Sequence, residues 1–384
     1  MGKRRVLIAG VTTRALATSA ARSGWQVTAL DGFGDLDLRS VATDVVVVQG
    51  GAQGCTAKLV GTLSGEYAAY TSNFENCLES VALLMKGRRL LGNPPEVLAK
   101  VRDPMELMRT LRRRGVVTPN ARAAAPARGA RPGEWLLKPR RSGGGHGTRV
   151  WRRGLVVSRA HYLQQRIEGI PGSIVFVADG VQAIPLGISR QLVGERRLGA
   201  RGFRYCGSLL AADRRYPLFP QHDRVEEAAR ALAGTATTEF NLVGLNGIDF
   251  IAQQGVAYPI EINPRYSASM ELVERAFGIP LFQLHTNGCE GKLPGRVSMA
   301  RSPAPIVGKA VVFARRNVTV GDTQGWLLLD TIADVPHPGE RIERGHPICT
   351  VFGEAGSVEA CRRVLLRRAE GVYRSVEPRA RGAA

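Results

Sequence analysis

Two acidic residues, an asparagine and an arginine fall within one stretch of the sequence, GIDFIAQQGVAYPIEINPR. Asp249 lies in a first apolar strand, a Gln-Gly turn follows, and YPIEIN forms a second strand that contains Glu261 and Asn263. Side chains alternate along a strand, so Glu261 and Asn263 project from one face, and a hairpin would bring Asp249 beside them. Oxygen ligands of this kind suit Mg²⁺, and Arg265 just beyond them suits a transferring phosphoryl group. The stretch predicts a site for phosphate chemistry.

A glycine-rich loop, SGGGHG, lies between two predicted strands. Glycine lets the backbone approach phosphates closely and direct N–H groups at them. The sequence contains no GxxxxGK[ST] segment, so the loop is not a P-loop. The residues of this predicted phosphate-binding loop are Ser142, Gly143, Gly144, Gly145, His146 and Gly147.

Lys138 lies four residues before the glycine loop, on the incoming strand. A lysine within an otherwise apolar strand is normally avoided, so its presence strengthens the prediction of phosphate binding. The alternative is a lysine that extends to solvent at the edge of a sheet.

The segment LQQRIEG is a short strand that breaks at Gly169. Its backbone N–H and C=O groups are available to pair with an adenine. An ordinary strand and turn is an equally good interpretation of this segment taken alone.

The chain has 384 residues, enough for two or three domains, with the 44% hydrophobic and 22% charged content of a globular protein. No apolar run approaches the roughly 20 residues of a membrane span. The N-terminal apolar run breaks at Thr12, which favours a buried strand over a signal peptide. Six cysteines without a CxxC pair argue against a disulfide framework or a zinc site. We expect a cytoplasmic protein.

The net charge is +20, which raises the alternative of nucleic-acid binding. However, the excess comes from 46 arginines against 7 lysines, and the basic runs lack interleaved aromatic residues. A general arginine bias on solvated surfaces is the favoured explanation. A positive field that attracts anionic substrates is its by-product.

Hydrophobic patterning predicts a small α/β unit over residues 1–93. Its third strand, residues 43–50, is wholly apolar, as in a buried parallel strand. The turn GVTTRA after the first strand lacks GxGxxG, so it predicts no dinucleotide site. Helices at 94–119 and a linker at 121–134 precede a strand-rich region, and residues 304–384 contain short strands and a final helix. The predicted fold class is α/β (α+β).

The order of these motifs resembles that of the ATP-grasp superfamily, which includes biotin carboxylase, D-alanine–D-alanine ligase and the carboxylate-amine ligases. The resemblance covers residues 4–291, and the C-terminal GERIERGHPICTVFGEAG is similar to the end of a carboligase branch related to biotin carboxylase. It implies an N-terminal Rossmann-like pre-ATP-grasp domain (1–93), an ATP-grasp domain of two α+β lobes (94–303) and a small β-rich C-terminal region (304–384).

The resemblance also assigns roles to the phosphate chemistry. Asp249, Glu261 and Asn263 are expected to hold Mg²⁺, which Mn²⁺ can replace, on the triphosphate of ATP. Arg265 would stabilise the transferred phosphoryl group, and Lys138 would contact the α- and β-phosphates.

The remaining nucleotide contacts follow from the same resemblance. The loop from Ser142 to Gly147 would close over the phosphates. Gln165, Arg166 and Ile167 would meet the adenine, and Glu168 would contact the ribose or the adenine.

Two features depart from the family pattern. Many relatives have Asp-Lys where this chain has Asp103-Pro104, and that lysine touches ATP. Lys100 or Arg102 must then substitute for it, or the contact is absent. The hinge also reads Gln-Gln-Arg where many relatives have a glutamate, which leaves the base contacts open.

The resemblance implies an ADP-forming ligase that joins a small-molecule carboxylate to an amine through an acyl-phosphate. It implies no membrane or nucleic-acid partner, and it is compatible with a homodimer. Arg190, Arg204 and Tyr205 are candidate ligands of the carboxylate, with surface or core-edge positions as an equal alternative. The branch suggests an amino acid such as glutamate, joined to an amine-bearing cofactor precursor in one-carbon metabolism.

Two other classes of protein remain as alternatives. A non-catalytic ATP-binding scaffold is supported by Pro104 in place of the usual lysine. A nucleic-acid-binding protein is supported only by the charge. A biotin-dependent carboxylase is disfavoured because the sequence has no Ala-Met-Lys-Met carrier segment.

Overall fold

The structure, a computed structural model, describes residues 3–48, 55–123, 133–152, 155–213, 215–295, 297 and 304–376. The centre of the predicted linker, 124–132, and the predicted boundary at 303 lie outside these ranges. In the part of the chain so described, no helix has the length and apolar character needed to cross a membrane.

The N-terminal residues form a five-stranded parallel sheet with strand order β3-β2-β1-β4-β5. The apolar segment VLIA makes β1 the buried centre of the sheet, as expected for a parallel strand covered on both faces. The elements are β1 (Arg5–Ala9), α1 (Arg14–Arg22), β2 (Gln26–Asp31), α2 (Leu36–Val41), β3 (Asp44–Val47), α3 (Ala57–Thr62), β4 (Tyr67–Tyr70), α4 (Leu78–Leu84) and β5 (Arg89–Leu91), with a 3₁₀ turn at Phe74–Asn76 before α4.

β3 differs from the sequence prediction. It was expected to be a buried strand, but it lies at the edge of the sheet, and Val47 is 44% exposed. An unbroken apolar run indicates a strand without indicating how many neighbours it has, so this part of the prediction was wrong.

Two short helices, α5 (Pro95–Val101) and α6 (Pro104–Arg113), follow the first sheet. The Asp103 side chain accepts hydrogen bonds from the backbone N–H groups of Met105 and Glu106, so it caps α6. Pro104 occupies the first turn, where its missing N–H costs nothing. The Asp-Pro pair therefore starts a helix.

A four-stranded antiparallel sheet with order β6-β9-β7-β8 comes next. Its strands are β6 (Ala121–Arg122), β7 (Trp135–Pro139), β8 (Arg149–Val150) and β9 (His161–Gln165).

The largest sheet has eight strands in the order β14-β13-β10-β11-β12-β15-β19-β17, all paired antiparallel. The short strands β16 and β18 pair separately, and 3₁₀ turns occur at Arg196–Leu198 and Gln324–Leu328. The elements are β10 (Ile170–Asp179), β11 (Ala183–Val193), β12 (Tyr205–Ala211), α7 (His222–Phe240), β13 (Val243–Gln253), β14 (Val256–Asn263), α8 (Met270–Phe277), α9 (Leu281–Cys289), β15 (Ile306–Phe313), β16 (Val318–Thr319), β17 (Ile332–Ala333), β18 (Arg341–Ile342), β19 (Pro347–Ala355) and α10 (Val358–Val376).

The core lies on both faces of this large sheet. Along β10, Ile174 and Phe176 belong to a cluster shared with α7 and α10, whereas Val175 and Val177 belong to one shared with α8, α9 and the first sheet. This alternation is that of a strand buried on both sides. The C-terminal strands β15 and β19 continue the same sheet through β12. The division at 93 and 303 stays a prediction.

Candidate active site

One cleft of about 1450 Å³ is lined by all three of these sheets. Every residue proposed for the site lines it except Lys100, Arg102 and Gly147. Gly147 lies in the same loop, beside a smaller neighbouring hollow.

The hairpin of β13 and β14 supplies the acidic residues of the cleft. Asp249 pairs directly with Glu261 across the two strands, and Gly247 pairs with Asn263. The Asn263 side-chain amide donates to one carboxylate oxygen of Asp249 at 3.2 Å, and the Gln191 amide donates to the other at 3.0 Å. The predicted juxtaposition of these three ligand candidates is present.

The charge state of Asp249 is unusual. Burial, followed by repulsion from Glu261, raises the pKa of Asp249 to about 7. Two facing carboxylates beside an amide oxygen are a donor set that a hard divalent cation fits, because the cation relieves their repulsion.

Arg265 is held rigidly beside this hairpin. One Nη donates to Asn263 Oδ1 at 3.0 Å and to Glu75 Oε1 at 2.6 Å, and the other donates to the carbonyl of Tyr266 at 3.1 Å. Burial raises the pKa of Glu75, but the Arg265 guanidinium outweighs burial and leaves that pKa below its usual value. Within the described chain, Arg265 Nε has no hydrogen-bond partner, so the guanidinium keeps one buried and unsatisfied donor.

Glu75 was missed by sequence reasoning. It lies in the 3₁₀ turn that follows β4, in the first sheet, far along the chain from Arg265. The only available signal was its position after the carboxyl end of a parallel strand, where α/β sheets bind ligands.

The glycine loop connects β7 to β8 and rests against the start of β12. The backbone N–H of Tyr205 donates to the carbonyl of Gly144 at 3.0 Å. Gly145 has a φ of +76°, and a Cβ there would lie 1.9 Å from the carbonyl oxygen of Phe203. Only glycine fits this close approach. Burial, then the positive charge of Arg204, lowers the pKa of His146 in the same loop.

Lys138 extends from β7 into the cleft and donates to Gln164 Oε1 at 3.1 Å. The lysine is therefore tethered to the neighbouring strand β9 and does not extend into bulk solvent.

Arg102, not Lys100, reaches the site. Lys100 is exposed on α5 and does not line the cleft. Arg102 donates to the carbonyl of Ser142 at 2.9 Å and lies 3.5 Å from the Glu261 carboxylate. The helix α5 ends just before Arg102, so this side chain turns toward the hairpin and the glycine loop. Of the two substitutes that the sequence left open, Arg102 contacts the glycine loop and the hairpin, and its role toward a nucleotide stays a prediction.

The segment between β9 and β10 lines the cleft as expected for base contacts. Gln165 N–H donates to the carbonyl of Asn120 at 2.7 Å, and Arg166 N–H donates to that of Glu134 at 2.8 Å. The N–H groups of Ile167 and Glu168 have no partner in the described chain. Among the described residues, the free N–H donors of this segment therefore follow Arg166.

The three candidate ligands of a carboxylate line the cleft on β11 and at the start of β12. The Arg204 guanidinium stacks 3.9 Å from the centre of the Phe313 ring. The Tyr205 hydroxyl lies 3.0 Å from that of Ser208, and burial raises its pKa. Among the described residues, Arg190 has no ion-pair partner.

The first sheet closes the opposite wall through the loops that follow β1, β2 and β4. Sequence reasoning did not identify these residues, although it placed the strands. The additional lining residues are Val11, Thr12, Phe33, Asp35, Ser72 and Asn73.

A family model described as an ATP-grasp domain matches residues 101–269. Among curated proteins, an uncharacterised protein of Methanocaldococcus jannaschii is 26% identical over 121 residues, which are 32% of this chain. The matched segment spans only 29% of that relative's length.

Solved structures match nearly the whole chain. The biotin carboxylase domain of Hydrogenobacter thermophilus 2-oxoglutarate carboxylase is 16% identical, with 97% of this chain and 90% of that chain covered and a TM-score of 0.72. L-amino acid ligase from Bacillus licheniformis is 14% identical, with 98% of each chain covered and a TM-score of 0.69. N5-carboxyaminoimidazole ribonucleotide synthetase from Thermus thermophilus is 17% identical, with 98% of this chain and 99% of that chain covered and a TM-score of 0.67. At these identities the likeness establishes the fold.

Proposed function

Residues 101–269 form an ATP-grasp domain in a chain with the ATP-grasp fold, and from this premise we propose that the protein is an ATP-dependent carboxylate-amine ligase. One observation carries the proposal. The facing carboxylates of Asp249 and Glu261 and the buried guanidinium of Arg265 meet in one cleft, which also contains Lys138 and the glycine loop. Paired carboxylates beside a fixed arginine are what phosphoryl transfer from a nucleotide requires.

ATP would lie between the two antiparallel sheets. Its base would accept hydrogen bonds from the N–H groups of Ile167 and Glu168, which have no partner among the described residues. Its phosphates would meet Lys138 and the backbone of the loop 142–147.

Mg²⁺ fits the donor set of Asp249, Glu261 and Asn263. When bound there, it would neutralise charge on the phosphate oxygens of ATP. Arg102, 3.5 Å from Glu261, helps to hold that carboxylate in place.

The reaction has two steps. A carboxylate oxygen of the first substrate attacks the γ-phosphorus while the bond to the β–γ bridging oxygen breaks, which gives an acyl-phosphate and ADP. The amine nitrogen then attacks the acyl carbon, phosphate leaves with its electron pair, and the nitrogen gives up a proton to solvent. Arg265 would balance charge on the transferred group through its unpaired Nε.

The carboxylate substrate would be held by Arg190 and Arg204, the cleft-lining arginines of β11 and the segment before β12. Tyr205 is a less favoured ligand, because its hydroxyl already meets Ser208. An amino acid such as glutamate, joined to an amine-bearing cofactor precursor in one-carbon metabolism, is the narrower form of the proposal.

The test is ADP release with paired panels of amino acids and amines, followed by mass spectrometry of the products. Asp249→Asn and Glu261→Gln should each lower substrate-dependent turnover by about 10²-fold or more, the loss typical when a charge-stabilising group is removed. Asp44→Asn and Glu79→Gln, at exposed positions outside the cleft, are the matched controls and should retain activity. Full turnover in both cleft variants would refute the site.

The same experiment distinguishes the ligase from a non-catalytic ATP-binding scaffold. It would bind ATP in a titration and release no ADP with any substrate pair. The contact of Arg102 with Ser142 and Glu261 weakens this alternative, because a cation joins the glycine loop to the acidic hairpin.

A further inference from the structure

Asp35 is a buried acidic residue of the cleft. It lies just beyond β2, before the first turn of α2, and it lines the cleft while only 7% exposed. Within the described ranges, no residue donates a hydrogen bond to its carboxylate or forms an ion pair with it.

The neighbouring carboxylates differ, because each is occupied. Asp31 accepts hydrogen bonds from the backbone and hydroxyl of Thr13 and from the backbone of Phe33 and Gly34, at 2.6–2.8 Å. Asp37 accepts the backbone N–H groups of Asp334 and Val335.

The nearest cation, Arg14, is also fully used. Its Nε lies 2.9 Å from Asp334 Oδ1, and its Nη atoms pair with Glu271. Burial, followed by the charges of Asp334, Asp37 and Asp31, raises the pKa of Asp35 well above its usual value. Asp35 is therefore a buried carboxyl group for which the described residues provide no dedicated counter-charge.

The arginines proposed to hold the carboxylate and the acidic Asp35 line different parts of the cleft. Arg190 and Arg204 lie on β11 and beside β12 of the large sheet, which also supplies Asp249 and Glu261, whereas Asp35 follows β2 of the first sheet. The first-sheet residues follow the carboxyl ends of parallel strands, where α/β folds bind ligands. A substrate with a carboxylate and a cationic nitrogen would be oriented by this polarity.

We propose that Asp35 is the counter-ion of a positively charged nitrogen, an ammonium or guanidinium, on the substrate that supplies the amine. This inference rests on the proposed ligase function and names the chemical class of one substrate.

The test compares charged probes with uncharged analogues of similar size. The pairs are 1,4-diaminobutane with 4-amino-1-butanol, L-lysine with L-norleucine, and L-arginine with L-citrulline. Each is added to the full-length protein with MgADP, and binding is followed by thermal shift and by titration calorimetry. The variants are Asp35→Asn, which removes the charge of a side chain that makes no capping hydrogen bond, and Asp44→Asn as the exposed control.

The wild-type protein and Asp44→Asn should bind at least one charged member about tenfold more tightly than its partner, and Asp35→Asn should lose that preference. With an active substrate pair, Asp35→Asn should raise KM for the amine tenfold or more while KM for ATP stays unchanged. A merely structural role would instead shift both constants.

Equal binding of charged and uncharged members by the wild-type protein would overturn the subsite, whether or not ADP is released. So would an unchanged preference in Asp35→Asn. Failure of the ligase proposal looks different, because charge-selective binding would then persist without ADP release from any substrate pair.

Discussion

Arg265 and Glu75 form an ion pair of 2.6 Å between segments that are 190 residues apart in the chain. Their side chains are only 8% and 1% exposed. The pair ties the end of the acidic hairpin to the first sheet, so the guanidinium proposed to meet the phosphoryl group has one fixed position.

Glu75→Gln should therefore impair catalysis more than nucleotide binding. The neutral amide no longer fixes the guanidinium, and we expect kcat to fall about 10- to 100-fold, with the Kd for MgADP changed less than threefold. Steady-state kinetics and titration calorimetry measure the two quantities. Glu79→Gln, exposed on α4, is the control. Unaltered kcat in Glu75→Gln would show that Arg265 needs no such positioning.

The KM for ATP of three methionine variants should show whether Lys100 or Arg102 takes the place of the lysine that many relatives have. Lys138→Met removes a cation beside the proposed phosphate position, and Arg102→Met removes one beside the acidic hairpin. Each variant should raise KM for ATP about tenfold or more. Lys100→Met should match the wild-type protein, because Lys100 is exposed and outside the cleft. A larger defect in Lys100→Met than in Arg102→Met would reverse the assignment.

Glu271→Gln should be severely destabilising. Glu271 is buried between Arg14 and Lys309, whose Nζ lies 2.6 Å from Oε2. Burial raises the pKa of Glu271, but these two cations outweigh it and leave the pKa far below its usual value. Loss of the carboxylate removes the described ion-pair partner of the buried Lys309 and leaves Arg14 with only Asp334 and Asp37, and we expect the free energy of unfolding in urea to fall by about 3–5 kcal/mol. A loss below about 1 kcal/mol would contradict this account.

Glu274, on the same helix, has a raised pKa where that of Glu271 is lowered, so its contribution to stability should decrease as the pH rises. Burial raises its pKa to about 7, although the Ser19 hydroxyl and the backbone N–H of Leu281 both donate to it. Since the unfolded value is about 4.3, the folded state holds more protons between pH 4 and 7. This side chain's contribution to stability is thus full below about pH 4 and is lost as the pH rises through 7.

Urea unfolding of the wild-type protein and Glu274→Gln at pH 5 and pH 8 measures this difference. The variant keeps an acceptor for the Leu281 N–H and has no charge to desolvate. The free energy of unfolding of the variant minus that of the wild-type protein should therefore be roughly 1–2 kcal/mol larger at pH 8 than at pH 5. A gap that is independent of pH would show that Glu274 titrates normally.

Local patterning was sufficient for the two strands and the turn of the acidic hairpin, but not for its full register. The turn pairs residues 250–253 with 256–259, and a register shift between Asp249 and Phe250 then places Asp249 opposite Glu261. The β-strand–glycine loop–β-strand order likewise predicted the connection that carries Ser142 to Gly147. Both features depend on residues close in sequence.

The contacts between distant segments could not be predicted in this way. Glu75 meets Arg265, and Asp334 meets Arg14, only because separate elements pack together. Which of Lys100 and Arg102 contacts residues of the cleft depends on the residue at which α5 ends, and helix boundaries are the least certain part of a pattern.

The pairing of β12 with β15 also affects how the protein is made. During synthesis, β12 is complete about 95 residues before β15 and has no partner on that side until residues 306–313 emerge at roughly 5–20 residues per second. For several seconds the nascent ATP-binding region therefore has an open strand edge, which another chain can occupy. Crowded ribosomes or premature stops after residue 303 should accordingly favour aggregation of an otherwise well-packed protein.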